Sequence, residues 1–282
     1  MSGGHSPPVP VPEAVERSFV PSVEALRTLQ RVDVPDAQTV HRARTSVRRL
    51  RSNVRVLEGD VEPSASLRSE LGWIGECLGL VRDVDVLTAR VTTAAEDVPE
   101  SLRLGAAGVA TVVAEERGSA DEHLRAAVSS SRFGPLVDEL DLLMKEASSS
   151  PRTLEARDVV RPRWRAMREA VHRLDDDPSD EQLHDFRIET KRARYAAELF
   201  SSVAGKRGER FIRRATTLQD ALGAQHDAVR ACAWFLGHGG EDTSLARACG
   251  WFAAEAEAER RALRTAWRPA WTSLRDPKAR FW

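Results

Sequence analysis

From Glu13 onward, apolar residues recur every three or four positions, and no stretch of strict alternation suggests a sheet. This periodicity predicts helices over 13–32, 36–57, 65–97, 100–130, 132–147, 153–175, 180–203, 208–236 and 241–272. The breaks fall at Val34-Pro35, 58–63, Asp97-Val98-Pro99, Asp177-Pro178, 205–208 and 237–242, where proline or glycine punctuates the chain. The expected class is all-α. Residues 1–12 are Ser/Gly/Pro-rich without an apolar leader core and read as a disordered lead-in, and 276–282 read as a C-terminal tail. The serine-rich stretch 147–151 divides the rest into two helical bundles, 13–147 and 151–275, of about four helices each.

The pattern repeats across that junction. Residues 40–51, from Val40 to Arg51, align without a gap on 183–194, from Leu183 to Arg194, at an offset of 143 that Pro35 and Pro178 share. Downstream, Leu78-Gly79 and Arg82-Asp83 match Leu222-Gly223 and His226-Asp227 at an offset of 144. A shared order of break, basic helix and Leu-Gly helix suggests duplication, with the bundles related by approximate twofold symmetry. Helix entries agree in phase: Ser179 with Gln182 forms a capping-box pattern, and Asp36 holds the equivalent N-cap position.

On a helical wheel the first repeat helix separates into two stripes. Val40, Ala43, Val47, Leu50, Val54 and Leu57 should face the core. His41, Arg44, Arg48, Arg51 and Arg55 follow one position behind and form a basic rail. In the second copy Leu183, Phe186, Ala193, Ala197 and Phe200 are apolar, with Thr190 interrupting. His184, Arg187, Lys191 and Arg194 make that rail, which ends early because Glu198 stands where the first has Arg55.

Composition changes the picture only through distribution. Net charge is −1, yet 40–57 holds six arginines and no acid, while 96–146 holds 11 acids against five bases. A neutral chain can thus carry a local positive field. Like charges at i, i+4 repel by a few tenths of a kcal/mol per pair. A polyanion would relieve that repulsion, and guanidinium forks suit phosphate oxygens. The competing possibility is that acids from 96–146 pair with the rail inside the protein. Cys77, Cys232 and Cys249 form no C-x-x-C pair and suggest neither disulfides nor zinc. No apolar run is long enough to span a membrane, and a reducing cytoplasm is the expected compartment.

The ligand is narrowed by what the rails lack. They contain no Trp, Phe or Tyr for stacking on single-stranded nucleic acid, and no base-edge reading mix of Asn, Gln and Arg. Phosphate without bases remains. His184-Asp185 and His226-Asp227, with His172 and His238 available, raise an HD-type metal phosphohydrolase as the main alternative. A basic scaffold for an acidic protein is another. Glu255-Ala-Glu257-Ala-Glu259 lies on a predicted helix, not the strand a triphosphatase requires. No nucleophile–base–orienter set accompanies His41 or His184, so both read as groove-edge anion donors when protonated, and no catalytic residue, metal or cofactor is expected. Trp73, Trp164, Trp234, Trp251, Trp267 and Trp271 read as core.

The segments His41-x-x-Arg44-x-x-x-Arg48-Arg49-x-Arg51 and His184-x-x-Arg187-x-x-x-Lys191-Arg192-x-Arg194 resemble the paired signature of the CHAD family, the conserved histidine α-helical domain. Leu78-Gly79-x-x-Arg82-Asp83-Val84-Asp85-Val86 resembles that family's second motif. The resemblance extends from about Glu13 to Trp271. It implies two four-helix bundles with a basic groove or pore near a pseudo-twofold axis. It also implies binding of inorganic polyphosphate, association with polyphosphate granules, and frequent occurrence beside a CYTH-type triphosphatase domain. The binding set it implies is His41, Arg44, Arg48, Arg49, Arg51, Arg55, Arg82, His184, Arg187, Lys191, Arg192 and Arg194. His226 in place of Arg82, and Glu198 in place of Arg55, weaken the second half's match.

Overall fold

The computed structural model describes residues 7–57 and 66–282. Its helices are α1 (Val11–Arg31), α2 (Ala37–Asn53), α3 (Leu67–Ala94), α4 (Arg103–Val128), α5 (Phe133–Ala147), α6 (Ala156–His172), α7 (Asp180–Glu198), α8 (Gly205–Gly237), α9 (Thr243–Leu263) and α10 (Trp267–Leu274). The class is all-α, as the periodicity predicts. Among the described residues no helix is long and apolar enough to cross a membrane. The predicted break at 58–63 lies outside the described residues, as do residues 1–6 of the expected lead-in.

The core-facing stripes fall as expected. Val40, Ala43, Val47, Leu50, Val54 and Leu57 are each at most 1% exposed, and Leu183, Phe186, Ala193, Ala197 and Phe200 are equally buried. Thr190, the polar interruption, is fully buried and satisfies its hydroxyl on the Phe186 carbonyl at 2.8 Å. Asp36 caps α2 by accepting from the Thr39 amide at 2.7 Å, and Ser179 with Gln182 closes a reciprocal capping box on α7. Trp164, Trp267 and Trp271 are buried, while Trp73, Trp234 and Trp251 pack partly buried against the core.

Three expectations need correction. The lead-in over 1–12 does not extend to its end: Val9–Pro10 forms β1, antiparallel to β2 (Thr153–Leu154), and Val9 and Val11 are fully buried. Two valines of an alternating Val-Pro stretch supply enough apolar surface to fix it. Residues 276–282 are no loose tail, because Ala279 and Phe281 insert into the core, Phe281 beside Phe200 and Phe211. The helix predicted over 241–272 is two helices, α9 and α10, parted at Arg264–Ala266.

Neighbours run in the same order in both halves. Helix α2 lies between α1 and α3, with α4 against α3; α7 lies between α6 and α8, with α9 against α8. The halves meet where α2 touches α7, α3 touches α8 and α4 packs on α9. The junction at 147–151 does not partition the interior, since each of two apolar clusters draws on both halves. Length explains this. At about 1.5 Å per residue, α3 and α8 outrun α2 and α7, and their C-terminal turns build the smaller cluster with α4 and α9.

Candidate functional site

Because the apolar stripes of α2 and α7 are fixed in the core, each rail is carried one position away, to the edge of its helix. The α2–α7 contact then turns the two rails toward each other. A cavity of about 400 Å³ lies between them. Its walls take Arg48 and Arg51 from α2, Arg55 from the turn after it, and His184, Lys191, Arg192 and Tyr195 from α7. Arg68 at the start of α3 and Arg163 on α6 complete the lining. Neither was legible as a site residue, since each stands outside the repeated segments.

The downstream motif has a physical role. An added Cβ at Gly79 would lie 3.2 Å from Arg44 Nη1, and one at Gly223 would lie 3.7 Å from Arg187 Nε. The missing side chain at Gly79 therefore makes room for the Arg44 guanidinium, while a methyl group at Gly223 would only touch Arg187. Gly75 and Gly72, one and two turns earlier, lie along the Arg51 guanidinium, an added Cβ at each standing 3.9 Å from it.

These cations sit deep and near one another. Burial, then Arg48, pushes the Arg44 guanidinium down to about 10, against the opposing pull of Asp83. Burial, then Arg187, Arg48 and Arg44, pushes the Lys191 ammonium down to about 7. Burial also lowers Arg187. Nη1 of Arg44, Nε of Arg48, Nε of Arg187 and the Tyr195 hydroxyl are buried without a hydrogen-bond partner. Orphaned buried donors are costly, and four around one site define a place for an acceptor-rich anion. Partial compensation comes from Asp83, which binds Arg230 at 2.7 Å and stands 4.0 Å from Arg44. Asp83 is itself held above the usual carboxylate range by burial.

The expected binding set divides. Arg44, Arg48, Arg51, Arg55, His184, Arg187, Lys191 and Arg192 gather at or beside the cavity. His41 stands near Arg44, Arg48 and Arg82, while Arg82 itself opens onto a groove between α3, α8 and α9. Arg49 and Arg194 are turned inward, contrary to expectation. Glu198 takes Arg49 Nε at 3.1 Å and Arg194 Nη1 at 2.5 Å, joining α2 to α7. Arg194 also binds Gln219 at 3.0 Å and lies over the Tyr195 ring. The acids of 96–146 do find partners, but away from this cavity: Asp141 pairs with Arg27 at 2.5 Å and Glu116 lies 3.0 Å from His238 Nε2.

Both groove histidines are held below the ordinary range, by burial first and then by neighbouring arginines or Lys191. An anion beside them would favour their protonated forms, which burial and the nearby cations disfavour. The two His-Asp dipeptides bring their histidines together, with Nδ1 atoms of His184 and His226 3.3 Å apart. His226 is pushed down to about 3 by burial, then by Arg187 and His184. The other two candidates go elsewhere: His238 stacks on Trp234 and His172 lines a hollow beside Trp164. Among the described residues no three His, Cys, Asp or Glu side chains group as metal ligands.

The CHAD domain sequence profile matches residues 23–236. Two Mycobacterium tuberculosis proteins, the uncharacterized proteins Rv2226 and MT2285, are each 29% identical over 235 residues, covering 79% of this chain. The chain spans only 45% of the length of either relative. Among solved structures, the CHAD domain from the plant Ricinus communis superposes with a TM-score of 0.81 at 21% identity, covering 99% of this chain and 96% of that one. PptA from Streptomyces chartreusis superposes with a TM-score of 0.74 at 20% identity, covering 94% and 100%.

Proposed function

This chain belongs to the CHAD family, and on that premise we propose that it binds inorganic polyphosphate between its two rails without transforming it. The observation that carries this reading is the set of buried guanidinium nitrogens of Arg44, Arg48 and Arg187 that lack a hydrogen-bond partner, Arg48 on the wall of the cavity between the rails and the other two close beside it. A chain of phosphates offers what such donors lack: closely spaced anionic oxygens with no bulk to exclude. Arg48, Arg51, Arg55 and Lys191 contact the bound chain, while Arg44 and Arg187 set the field from beneath. Granule association follows from the same contacts, and Arg49 and Arg194 serve the fold. The matched order of helices in the halves supports an approximate twofold arrangement, which lets a linear polyanion meet both rails in one groove.

Calorimetric titration with long-chain polyphosphate, orthophosphate, single-stranded DNA and an acidic peptide tests the proposal. Polyphosphate should bind best, with log affinity falling against log salt at a slope of roughly −3 to −4 for about five phosphate contacts. A slope near zero, or preference for the acidic peptide, would overturn it.

A further inference from the structure

The aromatic–basic combination missing from the rails occurs on the far side of α6. Arg157, Arg161, Arg165, Arg168 and His172, spaced four, four, three and four residues apart, share one face of that helix. Val160, Trp164 and Met167 occupy the buried face beside it. After α10 the chain returns over α6 with Phe281 anchored in the core. Two adjoining hollows of about 640 and 720 Å³ open there and share Trp164, Arg168, His172 and Arg280.

The first hollow combines cations with indole surface. Arg280 lies 5.4 Å above the Trp164 ring, and its Nε is buried without a partner. Trp282 packs edge-on against Phe211 at 5.1 Å and remains partly exposed at the wall. Arg161, Arg165 and Arg168 are exposed and have no carboxylate partner among the described residues. Glu169 is the single acid of this lining. In the second hollow Asp276 is held by Arg214 at 3.3 Å. Positive charge beside an aromatic wall, in a space within the usual range for a small-molecule site, selects a ligand with both an anionic and a planar part. A bare phosphate chain would leave the indoles unused.

We propose that this hollow is a second anion site that takes a nucleotidyl group. Arg161, Arg165 and Arg168 receive the phosphates, the base lies against Trp282, and Glu169 accepts from an N–H of the base. A free nucleoside triphosphate and the end of a single strand present the same chemistry. The rail variant Arg44→Ala with Arg48→Ala separates the sites. In that background, calorimetry compares ATP, inorganic tripolyphosphate and a short oligouridylate. ATP should bind roughly tenfold or more tightly than tripolyphosphate, the gain expected from stacking one base. Arg165→Glu and Trp282→Ala should each lower ATP affinity by a similar factor, and Trp282→Phe should keep most of it. If Trp282→Ala fails to fold, Arg165→Glu, an exposed change, and Trp282→Phe carry the test. Tighter oligouridylate binding identifies a strand end, and ATP binding alone identifies a free nucleotide; either upholds the site. ATP binding no better than tripolyphosphate, or indifferent to Arg165→Glu, would refute it.

Discussion

The rails of α2 and α7 carry one pattern at two depths. Arg51 and Arg55 are exposed to solvent, whereas Arg194, the counterpart of Arg51, is 12% exposed and ion-paired, and Glu198 replaces Arg55 altogether. Lys191, the counterpart of Arg48, is half-buried and loses its proton near pH 7. The α2 rail can therefore engage a polyanion at its outer end, while α7 supplies charge from below. Repetition in sequence sets where a cation stands along its helix. What packs over the helix sets how deep it stands, and depth decides whether the charge is available.

The most damaging change should be Arg48→Glu. Arg48 is the cation that bears on His41, Arg44, Arg187 and Lys191 together. Reversal replaces a central attraction with repulsion and should weaken polyphosphate binding by roughly 100-fold or more, read by calorimetry at fixed salt. Unchanged affinity would move the ligand off the rails.

Lys191→Met should act in the opposite sense on the fold. The ammonium titrates near 7 when folded but near 10.4 when unfolded. The unfolded chain thus binds more protons between those values, so this group makes stability rise with pH across that window and imposes its full penalty below pH 7. Removing it should raise stability at pH 7 by up to about 4 kcal/mol and flatten the pH dependence, measured by denaturant unfolding. For binding the sign reverses. A polyanion raises the Lys191 pKa, so protons are taken up on binding and affinity should fall as pH rises above 7. In Lys191→Met that fall should vanish.

A smaller difference should separate the halves directly. At pH 8 Lys191 is largely neutral, so Arg44→Ala with Arg48→Ala should cost about 1 kcal/mol more binding energy than Arg187→Ala with Lys191→Ala. At pH 6, with Lys191 charged, the gap should narrow. A gap that widens instead would contradict the depth argument. The slightest effect belongs to Glu198→Gln, which frees Arg49 and Arg194. Stability should drop by roughly 1 kcal/mol or less for these partly exposed pairs, while polyphosphate affinity rises slightly.

The sequence made the stripes, the caps and the rails legible because each depends on neighbours within a few residues. Val40 to Leu57 and Leu183 to Phe200 could be assigned to the core from spacing alone. What depends on partners far along the chain stayed hidden. The inward turn of Arg49 needs Glu198, 149 residues away, and the ordering of Val9 needs Leu154. Arg68 and Arg163 enter the cavity only because α3 and α6 are packed beside the rails. The meeting of His184 and His226 depends on how α7 lies along α8. The role of Gly79 was likewise unreadable, although its position was noted, because a seat is recognised only with its occupant.

Gly79 would make the proposed binding adjustable in strength without touching a charge. A methyl group at Gly79 would meet the far end of the Arg44 side chain at 3.2 Å, a crowding that a flexible guanidinium can relieve by swinging outward. At Gly223 a methyl group would only touch Arg187, at 3.7 Å, and needs no such movement. One carbon atom at Gly79 would thus act as a shim, lifting a cation toward solvent where water weakens its pull. If the rails hold phosphate as proposed, selection acting on α3 has a dial for its retention and release that leaves every arginine in place.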